Sequence, residues 1–412
     1  MQRQGVCKGK QRQEIGGVPV NLESLISDNM RDIPPSPIRK FFDIVKTMEG
    51  AISLGIGEPD FVTPWHIRDA AISSINNGET SYTANAGTPE LRNAISRYLN
   101  RRFGLEYDIS QIIVTVGASE AIDLAMRALI NPGDEVIIPD PSYISYAPNV
   151  RLVYGRAVPL PTYASDGFSI TPENLKKAIT PRTKALVLPY PNNPTGGIMT
   201  REQLALIAKV LEHTDIAVIA DEIYGELTYG GEHASIAQIP GMKERTVLIS
   251  GFSKAFAMTG WRIGFLAAAP QLVKPMLKIH QYVIMCTSTM SQAAATEALV
   301  SNLDNNFEDI AKMRNSYNMR RRYIHKSLND MGLACFEPRG AFYVFPCIRS
   351  SGLSSEEFAT SLLHSKKIAV VPGNAFGESG EGYVRCSYAA SMDDIREAMK
   401  RIAEFLKERK TK

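Results

Sequence analysis

KALVLPYPNNPTGGIMTREQLALIAKVLEHTDIAVIADEIY, residues 184–224, holds a strand, a turn, a helix and a second strand in succession. The run KALVLPYP is apolar almost throughout and is closed by the breaker-rich NNPTGG. A helical pattern follows, opened by a capping box in which Thr200 is answered by Gln203 three residues on. The next run, DIAVIADEIY, is again apolar at successive positions. Strands that are apolar on both faces and alternate with helices belong to a parallel sheet covered on both sides.

The same rhythm extends outward. Upstream, IIVTVG (112–117) reads as a buried strand, and ASEAIDLAMRALI carries helical spacing until NPGD stops it. DEVIIP is the next strand, and TPENLKKAI starts a helix with Thr171 at the N-cap and Pro172 in the first turn. Downstream, TVLIS (246–250) precedes GFSKAFAMTGWRIGF. After about residue 300 the pattern changes to a long charged helix, the short strands AFYVFP, AVVPG and YVRCSY, and a closing helix, SMDDIREAMKRIAEFLKERK. The expectation is an α/β chain with a mostly parallel, doubly wound sheet and a second, smaller α+β domain. The expected boundaries are a flexible tail over 1–22, an arm over 23–60 that packs with the small domain, a large domain over 61–300 and a small one over 301–412.

Composition narrows the function. Of 412 residues, 46 are basic and 43 acidic, so the net charge of +3 supplies no field for nucleic acid or an anionic membrane. Small-molecule partners are expected instead. Five dispersed cysteines without a Cys-x-x-Cys pair suit a reducing compartment, and the six histidines show no metal spacing. No apolar run reaches the length of a membrane span. MQRQGVCKGKQRQ is polar and basic, unlike a secretory signal, so a cytoplasmic location is expected.

In an open α/β sheet, ligands bind beyond the carboxyl ends of the strands. Asp221 ends IAVIAD, Lys254 follows TVLIS, Asn193 follows KALVLPYP, and Gly117, Ala118 and Ser119 join a strand to a helix start, where free N–H groups favour a phosphate. Singly, such a lysine is more often a snorkelling surface residue and such an aspartate a turn former. Together they offer an amine that burial can make nucleophilic, a carboxylate for a ring nitrogen and an anion site. Pyridoxal phosphate requires that set.

PNNPTG, ADEIY and FSKAFAMTGWRIG, in this order, resemble motifs of the class I/II aminotransferases, which are fold type I pyridoxal-phosphate enzymes. The resemblance covers residues 30 to 405. It is nearest to the bacterial subgroup of aspartate, aromatic and N-acetyl-LL-diaminopimelate aminotransferases. It implies that Lys254 is the Schiff-base lysine, that Asp221 faces the pyridine nitrogen, and that Tyr224 and Asn193 bond the phenolic oxygen. Arg262, Ser253 and the Gly117–Ala118–Ser119 segment would hold the phosphate, Tyr143 would stack on the ring, and Tyr82 would reach the phosphate of a neighbouring subunit in a homodimer. Arg385 would clamp the substrate carboxylate beside Gly57, and Ile38 with Arg39 would read the substrate side chain. One position departs from the pattern: Gly251 stands where some relatives carry a phosphate-binding serine, a loss of roughly 1–3 kcal/mol.

The implied activity is ping-pong transamination from an L-amino acid to a 2-oxo acid, with biosynthetic amino-acid metabolism as its setting. Two other readings share parts of the pattern. A pyridoxal-phosphate C–S β-lyase would use the same lysine. A serine hydrolase would use GFSKA as a nucleophile elbow, but His280, His325 and His364 lie in helical patterns that offer no placed base.

Overall fold

A computed structural model describes residues 14–15, 18–19, 21–31, 33, 35 and 48–410. The chain forms two compact units, Met1–Pro35 and Ser36–Lys412. In the first, Glu14–Ile15 pairs antiparallel with Val18–Pro19, and Arg31 bonds Asp28 at 2.7 Å within a single helical turn. Much of the tail expected over 1–22 lies outside the described residues.

The second unit is built on a seven-stranded sheet. Its strands are β1 (Ile112–Thr115), β2 (Glu135–Asp140), β3 (Arg156–Pro161), β4 (Thr183–Leu188), β5 (Ala217–Asp221), β6 (Thr246–Gly251) and β7 (Gly264–Ala267), in the order β1-β7-β6-β5-β4-β2-β3. All neighbouring pairs are parallel except those of β7, which runs antiparallel to both β1 and β6. The alternate side chains of these strands bury into separate cores. Ile113, Val136, Val187, Ile219 and Val247 face one, while Ile112, Val114, Leu248 and Phe265 enter another on the opposite face. That two-sided burial is why the strands read as continuous apolar runs.

The helices used below are α1 (Trp65–Asn76), α2 (Pro89–Phe103), α3 (Gly117–Leu129), α4 (Pro270–Val283), α5 (Thr289–Asp304), α6 (Glu308–Asp330) and α7 (Met392–Lys410). Helix starts follow local chemistry. Thr171 Oγ1 accepts the N–H of Asn174, and Thr200 and Gln203 form the reciprocal box. Two strands escape the sequence pattern. β3 contains Pro159 and Pro161, which demote a run, yet it is an edge strand and so tolerates them. β7 is four buried residues inside a longer apolar stretch, with nothing to mark its reversed direction.

Past α5 the chain forms a small three-stranded antiparallel sheet, β8 (Tyr343–Val344), β9 (Val371–Pro372) and β10 (Val384–Ser387). A core of Tyr317, Phe342, Tyr343, Phe358, Tyr388 and Ile402 packs α6 and α7 against it. Ile52–Ser53, from the expected arm, pairs parallel with Ile368–Ala369. No helix among the described residues is long and apolar enough to cross a membrane.

Candidate active site

The carboxyl ends of β5 and β6, the start of α3, Tyr343 of β8 and Arg385 of β10 converge on one cavity of about 780 Å³. Asp221, last residue of β5, is 5% exposed; its Oδ2 accepts the Tyr146 hydroxyl at 2.7 Å and its Oδ1 the N–H of Ile223 at 3.2 Å. Burial pushes this carboxyl up to about 6, against the stabilising hydrogen bonds. Lys254 sits in the single helical turn Phe252–Ala255 that follows β6, and its Nζ donates to the Gly57 carbonyl at 2.7 Å. Its side chain is partly open to the cavity, yet the amine is desolvated enough that its pKa falls to about 8, with Glu58 pulling the other way. Such an amine reaches its neutral, nucleophilic form far more readily than a surface lysine.

Two further groups face this pair. Arg385 is buried on β10; it donates from Nη1 to Asn193 Oδ1 at 2.8 Å and from Nη2 to the Gly55 carbonyl at 2.6 Å, and its Nε has no partner among the described residues. The Tyr343 ring lies 4.4 Å from its guanidinium. Tyr224 is buried with its hydroxyl 2.9 Å from that of Tyr343, and burial raises its pKa well above the usual phenol value.

The other end of the cavity is an anion cradle. Gly117, Ala118 and Ser119 are the first turn of α3 rather than a turn before it, and Val116 at the N-cap has no side-chain oxygen to cap them. Gly117 has φ +70, and a Cβ there would fall 2.7 Å from Arg262 Nη2. Only glycine lets the guanidinium lie against the helix start. Arg262 itself adopts a left-handed backbone, φ +51, which aims its side chain there at some local cost. Ser253 lines the cavity beside it, and Tyr143 forms one wall, its ring edge-on to Tyr146 with centroids 5.8 Å apart.

The structure thus brings together Lys254, Asp221, Tyr224, Asn193, Arg385, Gly57, Tyr143, Ser253, Arg262 and the 117–119 segment. Ile38 and Arg39 lie outside the described residues. Tyr82 is not among the lining residues and is 83% exposed. Reading the sequence missed Tyr146 and Tyr343, both of which bond or stack on site residues. Tyr146 was visible in PDPSYISY, three positions after Tyr143; Tyr343 lies in AFYVFP, where an aromatic strand residue reads as core.

The donor set fits pyridoxal phosphate: the Arg262 guanidinium laid against a helix start that has no side-chain cap and is held open by Gly117, a desolvated amine and a buried carboxylate. The family model for aminotransferase class I and II matches residues 49–402. This chain is a class I/II aminotransferase. It is 54% identical to the putative aminotransferase YugH of Bacillus subtilis, over 93% of this chain and 99% of that one. It is 46% identical to the probable N-acetyl-LL-diaminopimelate aminotransferase of the same organism, covering 93% and 96%. The solved aromatic aminotransferase of Pyrococcus horikoshii superposes with a TM-score of 0.86 at 44% identity, covering 90% and 99%. The aspartate aminotransferase of Thermus thermophilus with maleate gives 0.88 at 36%, covering 92% and 99%.

The aminotransferase is therefore a fold type I, pyridoxal-phosphate-dependent enzyme, and the serine-hydrolase reading falls. Its Gly251 also acquires a physical reason. Gly251 pairs with Gly264 across β6 and β7, and a Cβ on it would lie 2.8 Å from the Gly264 Cα and 3.2 Å from the Ile263 carbonyl. A serine does not fit here, whatever it contributes elsewhere. The two strands are drawn together because Gly264 in turn sits under the start of α3, where its own Cβ would meet the Ala118 nitrogen at 2.7 Å.

Proposed function

We propose that this aminotransferase moves the amino group of an L-amino acid, of the aspartate, aromatic or N-acetyl-diaminopimelate type, to a 2-oxo acid such as 2-oxoglutarate in a ping-pong sequence. Bound pyridoxal phosphate supplies the carbon that receives the amino group and a ring that accepts the electrons of the broken Cα–H bond. The residues of the chain do the rest. Arg385 binds the α-carboxylate with the planar fork that a lysine lacks, exchanging Asn193 and Gly55 for substrate oxygens. Asp221 keeps a ring nitrogen cationic, with Tyr146 holding the carboxylate in place. The Lys254 amine takes the proton from Cα and would deliver it to the cofactor carbon that receives the amino group. Tyr224 and Asn193 would hold the phenolic edge of the ring, Tyr143 would stack on it, and Arg262, Ser253 and residues 117–119 would retain the phosphate.

The proposal includes a homodimer in which Tyr82 completes the partner's phosphate site, a large domain over 61–300 with a small one over 301–412, and a cytoplasmic setting. The observation that carries the reading is the desolvated Lys254 amine in one cavity with the buried Asp221 and the half-satisfied Arg385. A panel of amino donors against 2-oxoglutarate tests it. Glutamate should form with at least one donor class, each half-reaction should proceed without the second substrate, and Lys254→Ala should abolish turnover. Near-normal turnover by Lys254→Ala, or release of pyruvate and ammonia without an oxo acid, would refute it.

A further inference from the structure

Behind the phosphate cradle lies a buried pair that the proposed reaction does not use. Glu120, in the first turn of α3, has a side chain 11% exposed, and His280 on α4 is fully buried. The His280 Nδ1 is 2.7 Å from Glu120 Oε1. Glu120 Oε2 accepts the backbone N–H of Val116, the N-cap residue. The second ring nitrogen of His280, Nε2, has no partner among the described residues.

The bond to Val116 is a reach-back of the capping-box kind, but the lock onto a buried histidine is no part of that pattern. A carboxylate in the first turn can also fold onto the free N–H groups that follow the N-cap, because they are unsatisfied donors at the positive end of the dipole. Here those groups, at residues 117–119, have no cap from Val116, and they are the donors a phosphate needs. A free carboxylate beside them would compete for the donors and repel a dianion. Both Glu120 oxygens are instead engaged away from the cradle, one backwards on Val116 and one sideways on His280. The imidazole is fully buried on α4, which packs against α3, so it has little freedom to let go.

We propose that His280 is a positioning residue for phosphate binding: it holds the Glu120 carboxylate off the amino end of α3 and so keeps the cradle open for an anion. The proposal rests on the reading of residues 117–119 as the phosphate site. It differs from a packing role in a measurable way, since it concerns the phosphate alone.

The test compares equilibrium binding of pyridoxal phosphate and of pyridoxal, which lacks the phosphate, to the full-length chain. His280→Asn places its amide nitrogen where Nδ1 lies and should keep the wild-type ratio of the two affinities within a factor of about two. His280→Gln places its amide nitrogen nearer the Nε2 position and releases Glu120. It should weaken pyridoxal phosphate about tenfold or more and leave pyridoxal unchanged. In the His280→Gln, Glu120→Ala double variant no carboxylate remains to fill the cradle, and part of the lost affinity should return. Equal weakening of both ligands by His280→Gln, or no change in either, overturns the proposal. A wild-type protein that binds the two ligands equally would instead overturn the phosphate-site reading beneath it.

Discussion

Asp221 is an anion at neutral pH in a place that disfavours one. Its folded-state pKa, raised by burial to about 6, lies above the ordinary 3.8. Between those values the folded chain binds more protons than the unfolded chain, so stability falls as pH rises through that window. Above about 6 the cost is complete; below 3.8 it is absent. In the proposed function the same carboxylate is repaid by a cationic ring nitrogen, which explains why so unfavourable a residue is kept. Asp221→Asn removes the titration while retaining an acceptor for the Tyr146 hydroxyl. The cofactor-free Asp221→Asn chain should therefore be more stable than the cofactor-free wild type at pH 7.5, by on the order of 1–3 kcal/mol. Urea melts repeated down to about pH 3.5 should show most of that advantage disappearing. A difference that stays constant across the range would mean that desolvation of this carboxylate is not its origin.

The β6–β7 pair shows how an element can decide what a residue is allowed to be. Gly251 and Gly264 face each other, and Gly264 touches the first turn of α3, so strand, strand and helix meet with no Cβ between them. Gly251→Ser, which in sequence restores a phosphate-binding hydroxyl, should act through this packing. It should destabilise the chain by about 1–3 kcal/mol, as overpacking does, and should not tighten pyridoxal phosphate. Thermal melts and a cofactor titration on the same variant check both halves, and tighter binding at unchanged stability would contradict the steric account. This layer was invisible in the sequence, where Gly251 read only as a missing serine and Gly264 carried no signal. What was legible there was periodic or local: the two-faced strands β1, β4 and β5, the Thr171 and Thr200 caps, and the motif residues at strand ends. β7 was not, because a four-residue buried run carries no sign of its direction.

At the scale of the whole molecule, the site is assembled from residues far apart in the chain. Arg385 bonds the Gly55 carbonyl across 330 positions, and Tyr224 meets Tyr343 across 119. A family motif can mark such residues, but hydrogen bonds such as Tyr146 to Asp221 come only with the fold. One proposed member stands apart even then. Tyr82 is 83% exposed in a segment fastened to the stretch after α4: Asn85 donates to the Met285 carbonyl at 2.9 Å, and Thr289 to that of Ser81 at 3.1 Å. Tyr282 and Val283, at the end of α4, are 82% and 62% exposed, so large apolar side chains flank this segment in the open. Exposed apolar surface of that kind is suited to a second copy of the chain, in which Tyr82 would serve the opposite site. Subunit hybrids decide the matter. Tyr82→Ala and Lys254→Ala chains are each expected to be poor enzymes alone. Co-expressed, they should form a mixed dimer in which the intact Lys254 of one subunit meets the intact Tyr82 of the other. Random assembly makes about a quarter of all sites complete, so activity should rise well above that of either parent towards about a quarter of the wild type. If Tyr82 serves its own subunit, every hybrid site lacks one of the two groups, and mixing should restore nothing.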